Sequence, residues 1–249
     1  MRYFLEVAYH GANFHGWQVQ DNAKSVQGEL NDKLSKLLRE DIFVYGSGRT
    51  DTGVHCSQQF AHFDVSIQFN LKDLQHRLNA FLNEEISILS IRPVKPEAHA
   101  RFDAISRAYV YKIVHQKNPF STGLAYFFPH QLDLGLMNKA ASLLLHYTDY
   151  QAFCKTRVAV NNYHCSISEA YWKSENGRTE FHIKANRFLR GMVRLLTGAM
   201  LQVGSGKLSI QGFEEKIQSK SQNSNRYAAP AHGLYLCRVL YPEEIFLVE

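Results

Sequence analysis

Cysteine is scarce in this chain of 249 residues, and the few that occur lie far apart. Cys56, Cys154, Cys165 and Cys237 include no C-x-x-C pair, which argues against a zinc ribbon, and four thiols in so long a chain make no disulfide framework. Long apolar runs are missing as well. The most apolar helical stretch, 188–203, is interrupted by Arg190 and Arg194, so it falls short of the roughly 20 apolar residues that a membrane span requires. The opening MRYFLEVAYHG lacks the apolar stretch of a secretory signal. Reduced thiols, no membrane and a cytoplasmic location are the resulting expectation. Strong charge of either sign is also absent: 28 Lys and Arg against 23 Asp and Glu leave +5, which permits an anionic partner without demanding one. There is no low-complexity segment, and the polar run 219–225 reads as a loop. What is present is material for a core, since 45% hydrophobic and 12% aromatic residues exclude disorder as the dominant state.

Residues 2–9 alternate, placing Tyr3, Leu5, Val7 and Tyr9 on one strand face. Ser25 predicts a helix cap, followed by Val26, Leu30, Leu34, Leu37 and Leu38 at helical spacing. A short strand is predicted at 42–46, a glycine-rich loop at 47–55, and a strand at 58–65 with Ala61, Phe63 and Val65 on one side. Asn70 caps a second predicted helix through Leu71, Leu74, Leu78, Phe81 and Leu82, and 86–94 returns as a strand. The order β-α-β-β-α-β is that of the split ferredoxin-like unit. The second half is predicted to open similarly, with a strand at 105–115 carrying Arg107, Tyr109, Tyr111 and Ile113 on one face, then a helix near 134–147. A hairpin of 163–174 and 179–185 turns at Asn176-Gly177. Helices at 187–202 and 210–219 and a strand at 234–240 complete the chain. The expected fold is α+β: two ferredoxin-like (RRM-like) halves, 1–97 with the glycine-rich loop and 98–249 with additional helices, whose sheets can merge into one across a seam at 93–104.

Three segments carry possible chemistry. In GSGRTDTGVH at 46–55, glycines surround one carboxylate, Asp51, flanked by Arg49, Thr50 and Thr52. An aspartate beside an arginine stays ionised and, once oriented, acts as nucleophile or base. The plainer reading is a turn in which Asp51 caps backbone N–H groups; a phosphate cradle lacks its G-x-x-x-x-G-K-[ST] text. HARFDA at 99–104 precedes SRAYVY at 106–111, where Arg107, Tyr109 and Tyr111 interleave. That pattern suits base stacking with phosphate contact, or simply a buried aromatic strand. In ANRFLRGMVR at 185–194, Phe188 and Met192 open an apolar stripe with Leu195 and Leu196, while Arg187, Arg190 and Arg194 recur at helical spacing as a cationic stripe. Arg187 and Arg190 fit a solvated face. Arg194, between Val193 and Leu195, predicts a partly buried guanidinium with an acidic partner.

Together these segments resemble the tRNA pseudouridine synthase A family. GRTDTGVH at 48–55 is similar to its catalytic loop, HARFDA with SRAYVY to its second motif, and FLRGMVR at 188–194 with GSGK at 204–207 to its third. AAPAHGL at 228–234 and YHGANFHGWQ at 9–18 fit as well, so the resemblance spans nearly the whole chain. Thr52 stands where the family usually has Ala, Asp103 where Ser is common, and Gln151 replaces a small hydroxyl residue. The resemblance implies two ferredoxin-like halves forming a mixed central β-sheet with a cleft between them. It implies conversion of uridine to pseudouridine at positions 38, 39 and 40 of the tRNA anticodon stem-loop, with no cofactor, no metal, and a homodimer whose subunits both touch one tRNA. Asp51 is then the nucleophile, Arg194 its ion-pair partner, and Tyr109 the ring that stacks on the target base. Arg49, Thr50, Arg101, Arg187 and Arg190 are the candidate tRNA contacts.

The chemistry of the residues agrees. Exchanging a carbon–nitrogen for a carbon–carbon bond involves no net oxidation or hydrolysis. One carboxylate suffices, as nucleophile at the sugar or the base or as the group that starts elimination. The alternative is a non-catalytic RNA-binding protein of paired RRM-like modules. A pure binder has no use for a loop that presents a carboxylate to phosphates, and the RNP1 pattern is absent. A structural oligomerisation domain accounts for a dimer but not for the Asp51 loop.

Overall fold

The computed structural model describes residues 1–155, 162–221 and 227–247, so most of the polar run 219–225 lies outside the described residues. The N-terminal alternation folds as β1 (Arg2–Tyr9), with Tyr3, Leu5, Val7 and Tyr9 all buried. A predicted helix follows as α1 (Val26–Leu38), started by Ser25, whose Oγ accepts from Gly28 N at 3.2 Å. It buries Leu30, Leu34 and Leu38, each worth roughly 1.5–3 kcal/mol relative to exposure. Then come β2 (Tyr45–Gly46), β3 (His55–Asp64), α2 (Leu71–Phe81) and β4 (Ile86–Pro93). Asn70 caps α2, its Oδ1 accepting from Asp73 N at 2.9 Å. β1 runs antiparallel to both β3 and β4, and β2 antiparallel to β3.

The strand expected at 42–46 is only two residues long. Side chains of α1 take the backbone groups that a ladder would have used. Ile42 N donates to Ser35 Oγ at 2.9 Å, Val44 N donates to Asn31 Oδ1 at 2.9 Å, and Gln27 Nε2 donates to Val44 O at 2.8 Å. Ile42 and Val44 remain buried as a lid on the helix rather than as a strand.

Packing divides the chain into two compact units, Met1–Ile105 with Leu236–Glu249, and Ser106–Tyr235. These do not coincide with the halves 1–97 and 98–249. The last strand, β9 (Leu234–Leu240), lies beside β3 from Leu236 onward, giving the first unit the order β4-β1-β3-β9. The tail then covers the second face of β1. Tyr241 and Phe246 meet Phe4 edge-on with ring centres at 5.0 and 5.9 Å, and Lys95 N donates to Ile245 O at 3.0 Å. Phe4, an outward residue on simple alternation, is thereby buried.

The second unit holds β5 (Ser106–Val114), β6 (Tyr126–Phe127), β7 (Ile167–Glu175) and β8 (Arg178–Ala185). β5-β8-β7 is antiparallel, with β6 parallel to β5. The β7–β8 turn has Asn176 at φ 51 and Gly177 at φ 73, as the Asn-Gly pair demands. α3 (Leu134–Leu143), α4 (Met192–Gly204) and α5 (Ile210–Gln218) complete it. Among the described residues no helix is long and apolar enough to cross a membrane.

α4 begins at Met192, not at 187 as the periodicity predicts. Gly191 sits at φ 70, a left-handed backbone that cannot continue a right-handed helix, and a Cβ there would lie 2.9 Å from Lys155 Cβ. The cationic helical stripe therefore does not exist: Arg187 and Arg190 belong to the loop before the helix, and only Arg194 is helical. Phe188 leaves the apolar stripe with them, and Leu189 is the buried residue there.

Candidate active site

In the first unit, the Asp51 loop is held from several sides. Trp17 N donates to Thr50 O at 3.2 Å, Gly53 N donates to Phe14 O at 3.4 Å, and Val54 N closes a turn onto Asp51 O at 3.1 Å. This contact needs Gly16, whose φ of 87 brings its Cα against the Thr50 carbonyl where a Cβ would collide. From the sheet side, Gln59 Nε2 donates to Gly48 O at 3.0 Å, and Tyr9 lies between Gln59 and Thr50. Thr50 is buried, its Oγ1 2.8 Å from the Tyr9 hydroxyl, so this expected tRNA contact is turned inward. Asp51 is half-buried and Arg49 exposed. The loop thus presents one carboxylate on a clamped backbone.

HARFDA lies in the same unit, as a tight turn. Asp103 Oδ2 accepts from His99 N at 2.7 Å and Asp103 N donates to His99 O at 3.1 Å. The residue that departs from the family's serine thus still supplies an acceptor. Arg101 is exposed, its guanidinium 5.6 Å from the Phe102 ring centre. Beneath the turn, His62 Nδ1 accepts from Ala100 N at 3.2 Å. Burial, helped by the neighbouring His99 and Arg2 charges, pushes the His62 pKa down to about 4.

Tyr109, Arg187, Arg190 and Arg194 lie in the second unit. Tyr109 is half-buried on β5, opposite Ile183, with its ring edge-on to Phe188 at 5.1 Å. Arg187 Nη1 donates to Asn162 Oδ1 at 3.0 Å, while Arg190 is exposed and its carbonyl accepts from Lys155 N at 2.9 Å. Arg194 is gripped by the AAPAHG segment: its Nε donates to Ala229 O at 2.7 Å and its carbonyl accepts from Ala229 N at 2.9 Å. Tyr111 steadies that segment by donating to Pro230 O at 2.8 Å. Burial and the Arg194 charge together hold His232 below its ordinary range.

Arg194 stands in the first turn of α4, where the helix dipole is positive, with no acidic residue in that turn and no side-chain cap at Gly191. Such a cation costs about 0.3–1 kcal/mol of helix stability. A local rule broken in this way marks function more often than packing: guanidinium and dipole together attract an anion. Among the described residues, no group of three or more His, Cys, Asp or Glu side chains is placed to hold a metal ion.

The family model for tRNA pseudouridine synthase matches residues 6–103 and 140–242. The chain belongs to this family. A tRNA pseudouridine synthase A of Parabacteroides distasonis is 43% identical over 249 residues, covering 100% of this chain and 99% of the relative. One of Porphyromonas gingivalis is 44% identical over 250 residues, covering 99% of each. One of Staphylococcus aureus is 30% identical over 249 residues, covering 99% of this chain and 93% of the relative. Membership in the pseudouridine synthase family makes the chain an isomerase of tRNA uridine. Asp51 and Arg194 are candidates by motif, whereas no local pattern marks Tyr9, Trp17 or Gln59. In YHGANFHGWQ, Phe14, Gly16 and Trp17 grip the Asp51 loop.

Proposed function

We propose that the chain isomerises uridine to pseudouridine at positions 38, 39 and 40 of the tRNA anticodon stem-loop, with Asp51 as nucleophile. The observation that carries this reading is the Asp51 loop, whose backbone is tied on both sides while its one carboxylate is left half-exposed. The reaction breaks the ribose C1′–N1 bond, turns the uracil and joins C1′ to C5; C5 loses a proton and N1 gains one. The two sides balance, and an ionised carboxylate is the group that starts the exchange. Arg194 aims Asp51 by a charge-assisted bond, a role suited to its strong anchoring on Ala229. Tyr109 stacks on the uracil once the base has left its helix, at a cost of a few kcal/mol. Arg49, Arg101, Arg187 and Arg190 bind phosphates, and Thr50 acts through the loop it holds. The antiparallel order β4-β1-β3, with β2 also on β3, supports a ferredoxin-like first half. The second half is read likewise, and a cytoplasmic homodimer completes the reading.

The test is position-resolved pseudouridine mapping on unmodified tRNA, with tRNA affinity measured in parallel for wild type and Asp51→Asn. Wild type is expected to modify positions 38–40. Asp51→Asn, close in size and uncharged, is expected to bind tRNA nearly as well and form no product. Single-turnover rates within about tenfold of wild type, only ~1.4 kcal/mol of barrier, would make Asp51 a turn-capping residue.

A further inference from the structure

Beneath the Asp51 loop lies a chain of buried polar side chains. Gln59 on β3 is fully buried, at 0% exposure, with Tyr9 at 5% and Thr50 at 8% beside it. Tyr9 donates its one hydroxyl proton to Gln59 Oε1 at 3.0 Å, so in the 2.8 Å contact with Thr50 the threonine Oγ1 is the donor. Gln59 Nε2 in turn donates to Gly48 O at 3.0 Å. The donors therefore run in one direction, from Thr50 to Tyr9 to Gln59 to Gly48, and bonds of this kind polarise one another. The chain begins and ends on the two residues flanking Arg49, immediately before Asp51. Thr50 is fixed at both ends, its side chain through Tyr9 and its carbonyl through Trp17 N at 3.2 Å.

Packing alone does not account for these side chains. An amide and a phenol in a core are satisfied only while every member of the network is in place, and apolar residues of similar size would fill the same space. What this network adds is a single backbone geometry at 48–50, hence a single direction for the next side chain. Resting on the reading of Asp51 as nucleophile, we propose that Gln59 and Tyr9 are positioning residues: they set the aim of the Asp51 carboxylate without touching the substrate. A nucleophile loses about 10²-fold in rate for a misplacement near 1 Å. The effect of breaking the chain therefore belongs on the chemical step and not on tRNA affinity.

The variants are Tyr9→Phe, which keeps the ring packed on Trp17, and Gln59→Met, which keeps the volume. Each is compared with wild type and Asp51→Asn for thermal midpoint, tRNA dissociation constant, and single-turnover rate at saturating tRNA per folded molecule. Both are expected to bind tRNA within about threefold of wild type while the saturated rate falls at least tenfold, a change of ~1.4 kcal/mol. The double variant is expected to be scarcely slower than either single one, because one chain is broken each time. Wild-type saturated rates in both variants, even with a lowered melting point, would leave the network a purely structural role and overturn the proposal. A loss residing in the dissociation constant would overturn it as well. Should Gln59→Met fail to fold, Tyr9→Phe decides alone. An Asp51→Asn enzyme that still turns over would bring down the nucleophile reading itself, an outcome distinct from an inactive Asp51→Asn beside fully active Tyr9→Phe and Gln59→Met.

Discussion

His62 is a single residue with a measurable consequence. Its Nδ1 accepts the Ala100 N–H at 3.2 Å, so the folded protein holds the ring neutral with its proton on Nε2. The Tyr45 ring stacks on it at 5.0 Å. Burial comes first among the causes of its low pKa, then the charges of His99 and Arg2; Asp64 and Asp103 oppose them weakly. His99 is displaced in the same direction, again chiefly by burial. With a folded pKa of about 4 against the ordinary 6.5, the unfolded chain binds more protons throughout that interval. The His62 contribution to stability is therefore intact above pH 6.5 and is lost as the pH falls toward 4. The melting temperature is expected to drop across this window, and His62→Phe to melt lower at neutral pH but with a shallower slope. Parallel slopes for the two proteins would remove His62 from the account. At this scale Asp51 was legible as a candidate, because it is the one carboxylate in a glycine-rich loop. Gln59 and Tyr9 were not, because a Gln and a Tyr on strands look ordinary until partners 11 and 41 residues away are brought beside them.

Elements were legible where their signals are local. Ser25 and Asn70 cap α1 and α2, and Asn176-Gly177 turns the β7–β8 hairpin. They misled where a backbone conformation within the segment broke the pattern. The helical periodicity of 187–202 is real, but Gly191 ends it on one side and leaves α4 to start at Met192. Gly191→Ala forces a side chain into left-handed backbone and against Lys155, 2.9 Å from the new Cβ. A loss of about 1–3 kcal/mol is expected, read as a lower urea midpoint with an unchanged slope. Because Arg194 sits one turn further on, turnover on tRNA is expected to fall as well. An unchanged midpoint would show that the start of α4 relaxes without cost and that the glycine is not what sets it.

On the scale of the whole molecule, the net charge of +5 is too small to identify an RNA partner, and the distribution of arginines matters more. Arg49, Arg101 and Arg190 are exposed and Arg187 half-buried, on loops of the two units. If these bind phosphates, tRNA affinity falls linearly with salt on a logarithmic scale, and replacing Arg49 or Arg190 by Ala lowers that slope by about one each. Affinity flat between low and moderate salt would contradict an electrostatic footprint. Strand alternation, helix caps, the hairpin turn and the order of elements were readable from the chain alone, because each depends on residues within a few positions of one another. So were the motifs that carry the family. The shrinking of β2, the burial of Phe4 under Tyr241 and Phe246 and the hydrogen bonds that tie the Asp51 loop to Tyr9 and Gln59 were decided only by tertiary packing. In each case the group finds its partner on another element, and no local pattern specifies which partner folding will place there.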